Sequence, residues 1–338
     1  MKIQLIGLGN VGKSLLELMH KNRENLDSLG IRLDVVSVSD SKGTAIDERG
    51  LKIDEVLENK KGGWVEFDKY VKGYGALEAI KDVKGDVVVE LTPSTLSGEP
   101  GLSHISRALS ERKNVVTANK GPLVVAFKDL IEKAKQNNVK LLYEATVAVH
   151  VPVFCLLDSC FIADEVLKVE GILNATTNFI IGEMEAGKSF QEALDYAIRS
   201  GWAETNFSDD VDGVDAARKV VILANTLYGI DAKLDDVKVQ GIRGIEPMIK
   251  QAAQENKKAK LVCEIWREGD RVHMNVAPKL VPLDDPLSTV NHGSMGLRFT
   301  FKTCQEVFTS ATFTSTRQTA YAVLNDILKI AESDCSCL

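Results

Sequence analysis

Lys2–Met19 reads KIQLIGLGNVGKSLLELM, and the order of its parts decides the fold. Lys2–Ile6 is a short apolar strand pattern, Gly7-Leu8-Gly9-Asn10-Val11-Gly12 follows at once, and Ser14–Met19 continues as a helix. A G-x-G-x-x-G run is a weak signal alone, but between a strand and a helix it has the context of a dinucleotide-binding turn. Gly7 permits the tight turn, Gly9 lets the backbone approach a pyrophosphate, and Gly12 lets helix and strand pack closely. The free N–H groups where the helix begins, around Asn10 and Val11, then face the phosphates.

Outward from this turn, Arg32–Ser39 (RLDVVSVS) is a second strand with Asp40 at its end. An acid there usually binds the adenosine ribose and favours NAD over NADP. It comes later than the usual ~20 residues after the glycines, so the first helix and its loop must be long. Lys42 suits a 2′-phosphate instead, and Asp40 as a plain turn residue before Ser41-Lys42-Gly43 is a third reading. The choice between NAD and NADP stays open. Residues 44–84 show only weak helical stretches. Asp86–Leu91 (DVVVEL) is a buried-type strand ending in Thr92, and Leu102–Arg112 is a helix. Asn114–Val116 is a strand running into Thr117-Ala118-Asn119-Lys120-Gly121-Pro122, followed by a helix over Phe127–Gln136 and a strand over Lys140–Tyr143. Strands and helices alternating at this spacing predict right-handed crossovers in a parallel sheet. Thr92, Thr117 and Lys120 fall at carboxyl ends of strands, where such sheets bind ligands. Lys120 is expected in a tight loop.

The second half lacks this alternation and reads as α+β, an open sheet with helices on one side. Lys168–Leu173 is a strand leading into Asn174-Ala175-Thr176-Thr177-Asn178, where small polar residues serve either as a helix cap or as a substrate cradle, the cap being favoured. Leu261–Trp266 and Val272–Val276 flank Glu268-Gly269-Asp270 as a hairpin. Thr316–Ile330 is an amphipathic final helix. The most unusual stretch is Gly201–Leu227, GWAETNFSDDVDGVDAARKVVILANTL. Carboxylates at Glu204, Asp209, Asp210, Asp212 and Asp215 run into a helix apolar on several sides. Asp215 and Lys219, four apart, share a helix face, with Asp212 expected one turn back. An exposed pair of this kind contributes little, but a lysine facing several acids at the mouth of a buried helix points to chemistry.

The totals set the class. A chain of 338 residues predicts roughly two domains on a ~150-residue prior. It has 44% hydrophobic and 26% charged residues, an ordinary globular composition, and a net charge of −7. That balance argues against nucleic acid as a partner, which needs a basic face. The six cysteines show no paired C-x2-C spacing for zinc, so reduced thiols in a cytoplasmic protein are expected. No basic leader or long apolar run is visible, so neither a signal peptide nor a membrane span is expected. No histidine pair has metal-ligand spacing.

Taken together, GLGNVG at 7–12, TANKGP at 117–122, EATVAVHVP at 144–152, GILNATTNFI at 171–180 and GWAETNFSDDVDGVDAARK at 201–219 resemble homoserine dehydrogenase along nearly the whole chain. The last motif is the most specific. The resemblance implies a Rossmann-type nucleotide domain over 1–146, completed by the C-terminal helix 316–333, and a substrate, catalytic and dimerisation domain over 147–315. It implies NAD(P)-dependent interconversion of L-homoserine and L-aspartate 4-semialdehyde in a homodimer, with no kinase or regulatory domain. In this frame Lys219 and Asp215 are the catalytic pair, and Lys120 lies between nicotinamide and substrate. Glu204, Asp209, Asp210 and Thr176 bind substrate, while Thr92 and Thr117 line the nicotinamide. Glu144 with the carbonyls of Val147, Val149 and Val151 forms a monovalent cation site (Na or K). The chain departs from the family at Ala148-Val149-His150, where glycines are usual, and at Ala175. Two rivals stand beside this reading: a related dehydrogenase of another amino-acid alcohol, and a nucleotide sensor that keeps the fold without turnover. Which lysine takes the alcohol proton is left open by the sequence.

Overall fold

The computed structural model describes residues 1–64, 67–203, 206–313 and 315–334. The chain divides into two units, Met1–Val149 with Ser315–Leu338, and His150–Thr314.

In the first unit a seven-stranded sheet is built from β1 (Lys2–Ile6), β2 (Asp34–Asp40), β3 (Gly43–Ile46), β4 (Tyr70–Lys72), β5 (Val87–Glu90), β6 (Asn114–Thr117) and β7 (Leu141–Leu142). Their order is β4-β3-β2-β1-β5-β6-β7. The five strands from β2 to β7 across β1 are parallel, as the alternation predicts. They are covered on both faces, which is why Val87, Val88 and Val89 are all buried and the strand reads as continuous valine. The chain leaves β1 in one direction for β2 and reaches β5 on the other side, so a switch-point crevice opens at the carboxyl end of β1.

The structure departs from a wholly parallel sheet at its edge. β3 and β4, within the stretch whose pattern was unreadable, are antiparallel to their neighbours. Strands of three or four residues carry too few side chains to show a period. A Cβ on Gly43 would sit 2.4 Å from the Val71 carbonyl oxygen, so the close approach of these strands requires glycine there. A second departure concerns Lys120, which is not in a loop. It is the first residue of a helix, Lys120–Gln136, capped by Asn119 and interrupted at Ala126, where φ is −137°. The helix read over Phe127–Gln136 is only its second part.

The C-terminal helix Thr316–Asp334 returns to the first unit and packs on the helix Asn10–Lys21. Ala320, Val323 and Ile327 join Leu5, Leu15 and Leu16 in one core cluster. Truncating such a leucine to alanine costs about 2–5 kcal/mol, so this helix is an integral part of the nucleotide unit.

The second unit carries β8 (Val166–Ile172), β9 (Lys238–Val239), β10 (Lys257–Glu268), β11 (Arg271–Pro282), β12 (Ser294–Phe301) and β13 (Glu306–Thr312), ordered β13-β12-β8-β10-β11-β9. All pairs are antiparallel except β11 with β9. The expected hairpin is present and longer than its sequence signal, pairing from Lys257 with Pro282 to Glu268 with Arg271. Helices Ala175–Glu185, Val214–Tyr228 and Glu246–Gln254 pack against these strands. Val214–Tyr228 is buried continuously from Ala216 to Asn225, which accounts for its nearly unbroken apolar run. Gly213 opens it with φ +82°, and Gly229 closes it with φ +63°, backbone conformations that glycine adopts at little cost. Gly213 also separates the helix from the short turn Ser208–Val211. Asp212 therefore does not continue the Asp215–Lys219 face. Its carboxylate pairs instead with Arg243, Nε to Oδ1 at 2.5 Å.

Candidate active site

The candidate nucleotide site begins at the glycine turn. Gly7 has φ +96°, and a Cβ on it would fall 2.6 Å from the Leu91 carbonyl oxygen. A Cβ on Gly12 would fall 2.3 Å from the Gly7 carbonyl oxygen, so helix and turn pack as closely as the motif requires. Around Gly9 there is nothing within 4 Å of the same position, which leaves open space where a pyrophosphate would approach. No side chain caps the helix that Asn10 and Val11 begin. Its first N–H groups thus keep the polarity that favours an anion. These features fit a dinucleotide.

Asp40 is placed differently from the expectation of a ribose ligand. Its Oδ1 accepts from the backbone N–H of Lys42 at 2.8 Å and of Gly43 at 3.2 Å, and from the Tyr70 hydroxyl at 2.9 Å. Its Oδ2 accepts from Trp64 Nε1 at 2.8 Å and from the Lys60 ammonium. Five donors fill the carboxylate, whose side chain is only 8% exposed. Burial pushes its pKa up, but the hydrogen bonds from Lys60, Trp64, Lys42 and Tyr70 outweigh it and hold the group down at about 2. The acid is committed to tying its own loop to β3 and β4. Lys42 is exposed.

Thr92 and Thr117 are brought together by Glu90, the last residue of β5. The Thr92 N–H donates to Glu90 Oε1 at 2.7 Å, and the Thr117 hydroxyl donates to the Glu90 carbonyl oxygen at 2.9 Å. Asn119 caps the helix that Lys120 begins, its Oδ1 accepting from the Gly121 N–H at 3.1 Å. Lys120 is half-buried at this start. Glu144 and Val147 are buried in the same unit, and Val149 has φ +58°, a left-handed conformation costly for a β-branched residue. Val151 belongs to the other unit.

In the second unit Lys219 Nζ lies 2.8 Å from Asp215 Oδ2 and donates to the Leu173 carbonyl oxygen at 2.5 Å. The lysine is 8% exposed. Among the described residues the amine thus has one hydrogen-bond acceptor, the Leu173 carbonyl, and one ion-pair partner, Asp215. Asn174, the next residue after Leu173, does two jobs. Its Oδ1 caps the helix Ala175–Glu185 by accepting from the Thr177 N–H at 2.8 Å. Its Nδ2 donates to Asp210 Oδ1 at 2.6 Å and to Asp215 Oδ2 at 3.0 Å. The cap favoured from sequence is therefore also a brace for two site carboxylates. Asp209 pairs with Arg218 at 2.7 Å, and the Thr176 hydroxyl donates to the Trp202 carbonyl oxygen at 2.7 Å. Glu204 lies outside the described residues. Beneath the pair, burial pushes the Cys263 thiol up to about 12, so it stays a neutral packing group.

Sequence reading missed Asn174 as a brace, Arg218 as the partner of Asp209, and Glu90. The signal for Glu90 was available, since an acid at the end of a valine strand buried on both faces must be satisfied internally. Nothing in the sequence marked the Leu173 carbonyl.

Comparison with known proteins follows the same division. Residues 7–144 match a family model described as homoserine dehydrogenase, NAD binding domain, and residues 152–328 match the homoserine dehydrogenase model. A homoserine dehydrogenase of Methanocaldococcus jannaschii is 36% identical over 98% of this chain and 99% of its own. An NAD(+)-dependent homoserine dehydrogenase of Pseudomonas canavaninivorans is 33% identical over 98% and 96%. A hyperthermophilic archaeal homoserine dehydrogenase, solved in complex with NADPH, superposes with a TM-score of 0.83 at 26% identity, covering 97% of this chain and 96% of that one.

Proposed function

The chain belongs to the homoserine dehydrogenase family, and from that premise we propose that Lys219, braced by Asp215, handles the proton of the substrate alcohol. The family's reaction, the NAD(P)-dependent interconversion of L-homoserine and L-aspartate 4-semialdehyde for threonine and methionine biosynthesis, makes this chain an oxidoreductase. The observation that carries the assignment is the buried Lys219 amine held by an ion pair with Asp215 Oδ2 and a hydrogen bond to the Leu173 carbonyl.

The bound nicotinamide supplies a two-electron acceptor or donor at its C4 carbon. The residues of this chain do the rest. In semialdehyde reduction an N–H of Lys219 donates to the aldehyde oxygen and stabilises the negative charge that develops there. The proton passes from Nζ to that oxygen as the C–O bond becomes single, giving the alcohol. In homoserine oxidation the same proton returns to the amine. Asp215 and the Leu173 carbonyl hold Nζ in place through both states, which removes an orientational cost from the step. Glu204, Asp209 and Asp210 supply the negative charge that meets the substrate ammonium, with Thr176 lining that side. Lys120 belongs to the nicotinamide end of the cofactor site. Thr92 and Thr117 flank the nicotinamide, and Gly7, Gly9, Asn10, Val11 and Gly12 hold the pyrophosphate. With Asp40 spent internally, the exposed Lys42 is the group left at the end of β2 to meet an adenosine 2′-phosphate.

The remaining parts of the reading are a homodimer formed through the sheet of the second unit, cytoplasmic location, and a monovalent cation held by Glu144 with the carbonyls of Val147, Val149 and Val151. No described helix is long and apolar enough to cross a membrane. The deciding experiment is homoserine-dependent reduction of NAD+ and of NADP+ at alkaline pH, run with and without Na+ and K+. Turnover with either cofactor supports the assignment, and their ratio reports on Lys42. Cofactor binding without turnover in either direction favours a nucleotide sensor instead.

A further inference from the structure

Glu90 is 0% exposed, the last residue of a strand whose other members are valines. A carboxylate in such a place is costly unless every oxygen is paired. Its Oε2 meets His104 Nδ1 at 2.7 Å. Its Oε1 accepts from the Thr92 N–H at 2.7 Å, from the Thr92 hydroxyl, and from Asn119 Nδ2 at 3.5 Å, the long limit of a hydrogen bond. Asn119 Nδ2 also donates to the Thr92 hydroxyl oxygen at 3.3 Å, and the Asn119 N–H to the Thr117 hydroxyl oxygen at 3.0 Å. The loops that leave β5 and β6 are thus joined to one carboxylate. His104, 8% exposed, comes from the helix Gly101–Ser110. That helix is pressed onto the same point, because a Cβ on Gly101 would fall 2.5 Å from Asn119 Nδ2.

We propose that Glu90 and His104 form a positioning pair that sets the nicotinamide end of the cofactor site through Thr92 and the Asn119–Lys120 turn. The inference rests on the reading above of Thr92, Thr117 and Lys120 as the nicotinamide side. Neither member of the pair reaches a ligand, since both are enclosed, so the pair acts only through the loops it holds. The carboxylate fixes the Thr92 backbone and hydroxyl in one arrangement, and the imidazole fixes the carboxylate. Without the imidazole, Oε2 loses its donor and the carboxylate is free to rotate away from Thr92.

The test compares the full chain with the Glu90→Gln, His104→Leu and His104→Asn variants. Binding of NADH and of ADP-ribose is followed by fluorescence and calorimetry, and deuterium isotope effects are measured with 4-deuterated reduced cofactor. The expected result is a Kd for NADH raised about 10-fold in Glu90→Gln and His104→Leu, with ADP-ribose affinity within about two-fold, because only the nicotinamide end is misplaced. The isotope effect on kcat rises, since the chemical step becomes slower relative to product release. His104→Asn, whose amide nitrogen stands near the place of Nδ1, recovers most of the loss. Equal weakening of NADH and ADP-ribose, an unchanged isotope effect with fewer active sites, or an Asn variant no better than Leu would each overturn the proposal. If the unaltered chain turned over no homoserine, the functional reading would fall, while the NADH-against-ADP-ribose comparison would still decide this one.

Discussion

Two lysines are buried in the second unit, and they differ in what surrounds them. Lys219, on the helix Val214–Tyr228, faces a carboxylate 2.8 Å away and donates to a backbone carbonyl. Lys260, on β10, is 1% exposed and donates only to neutral oxygens: Asn178 Oδ1 at 3.0 Å, the Val290 carbonyl at 2.6 Å and Asn291 Oδ1 at 3.1 Å. All three of its N–H bonds are spent. Burial drives its pKa down to about 8, with Glu185 opposing the shift and Lys258 adding to it. Burial alone therefore does not make a lysine chemical. One is paired with a carboxylate, and the other is a tie that holds the turn Asn291–Ser294 against the helix Ala175–Glu185.

The largest expected effect separates the two. Lys219→Ala should lower kcat by about 10³-fold, the scale of a lost general acid or base, with the Kd for NADH within about two-fold. Lys260→Met should leave kcat within about three-fold. A comparable loss of kcat in both would erase the distinction. Stability reverses the order, as chemical denaturation will show. Lys260→Met strands two buried acceptors, Asn178 Oδ1 and the Val290 carbonyl, and should cost about 1–3 kcal/mol. The sign of its pH dependence is set by a folded pKa of about 8 below an unfolded value of 10.5. Below pH 8 the folded state bears the cost of a buried ammonium. Between pH 8 and 10.5 the unfolded state still holds the proton, so stability rises with pH, by on the order of 3 kcal/mol in the unaltered chain. Lys260→Met should lack that rise. Smaller is the effect of Asn174→Ala, expected to lower kcat about 10-fold by removing the amide that donates to Asp210 and Asp215, seen in steady-state rates at saturating cofactor. Smallest is Asp40→Asn, which should change the ratio of kcat/KM for NAD+ and NADP+ by less than about three-fold, because the carboxylate is occupied by its own loop. A ten-fold swing toward NADP+ would restore it as a ribose ligand.

What the sequence disclosed was whatever is local. The strand, glycine turn and helix at 2–21 were legible because each glycine answers a constraint within a few residues, and Asp215 with Lys219 because they are one helical turn apart. What depended on distant partners was hidden. Asp40 reads as a ribose ligand until Lys60, Trp64 and Tyr70 fold back onto it from beyond the next strand. Asp212 reads as part of the catalytic face until Gly213 adopts φ +82° and turns the chain. β3 and β4 are too short to show a period and exist through pairing. The residues proposed for the site could be named from sequence, but the hydrogen bonds of Asn174, Leu173 and Glu90 could not be seen there, since backbone carbonyls and long-range amides leave no pattern.

The central claim is that Lys219 and Asp215 act as one unit on the substrate alcohol. A double-mutant cycle tests it most directly: kcat/KM for homoserine measured in Lys219→Ala, Asp215→Ala and the double variant. The expected result is that the double variant is no worse than Lys219→Ala by more than about three-fold, because a brace has nothing to hold once the amine is gone. Losses that multiply would show the two residues working independently and would contradict the assignment.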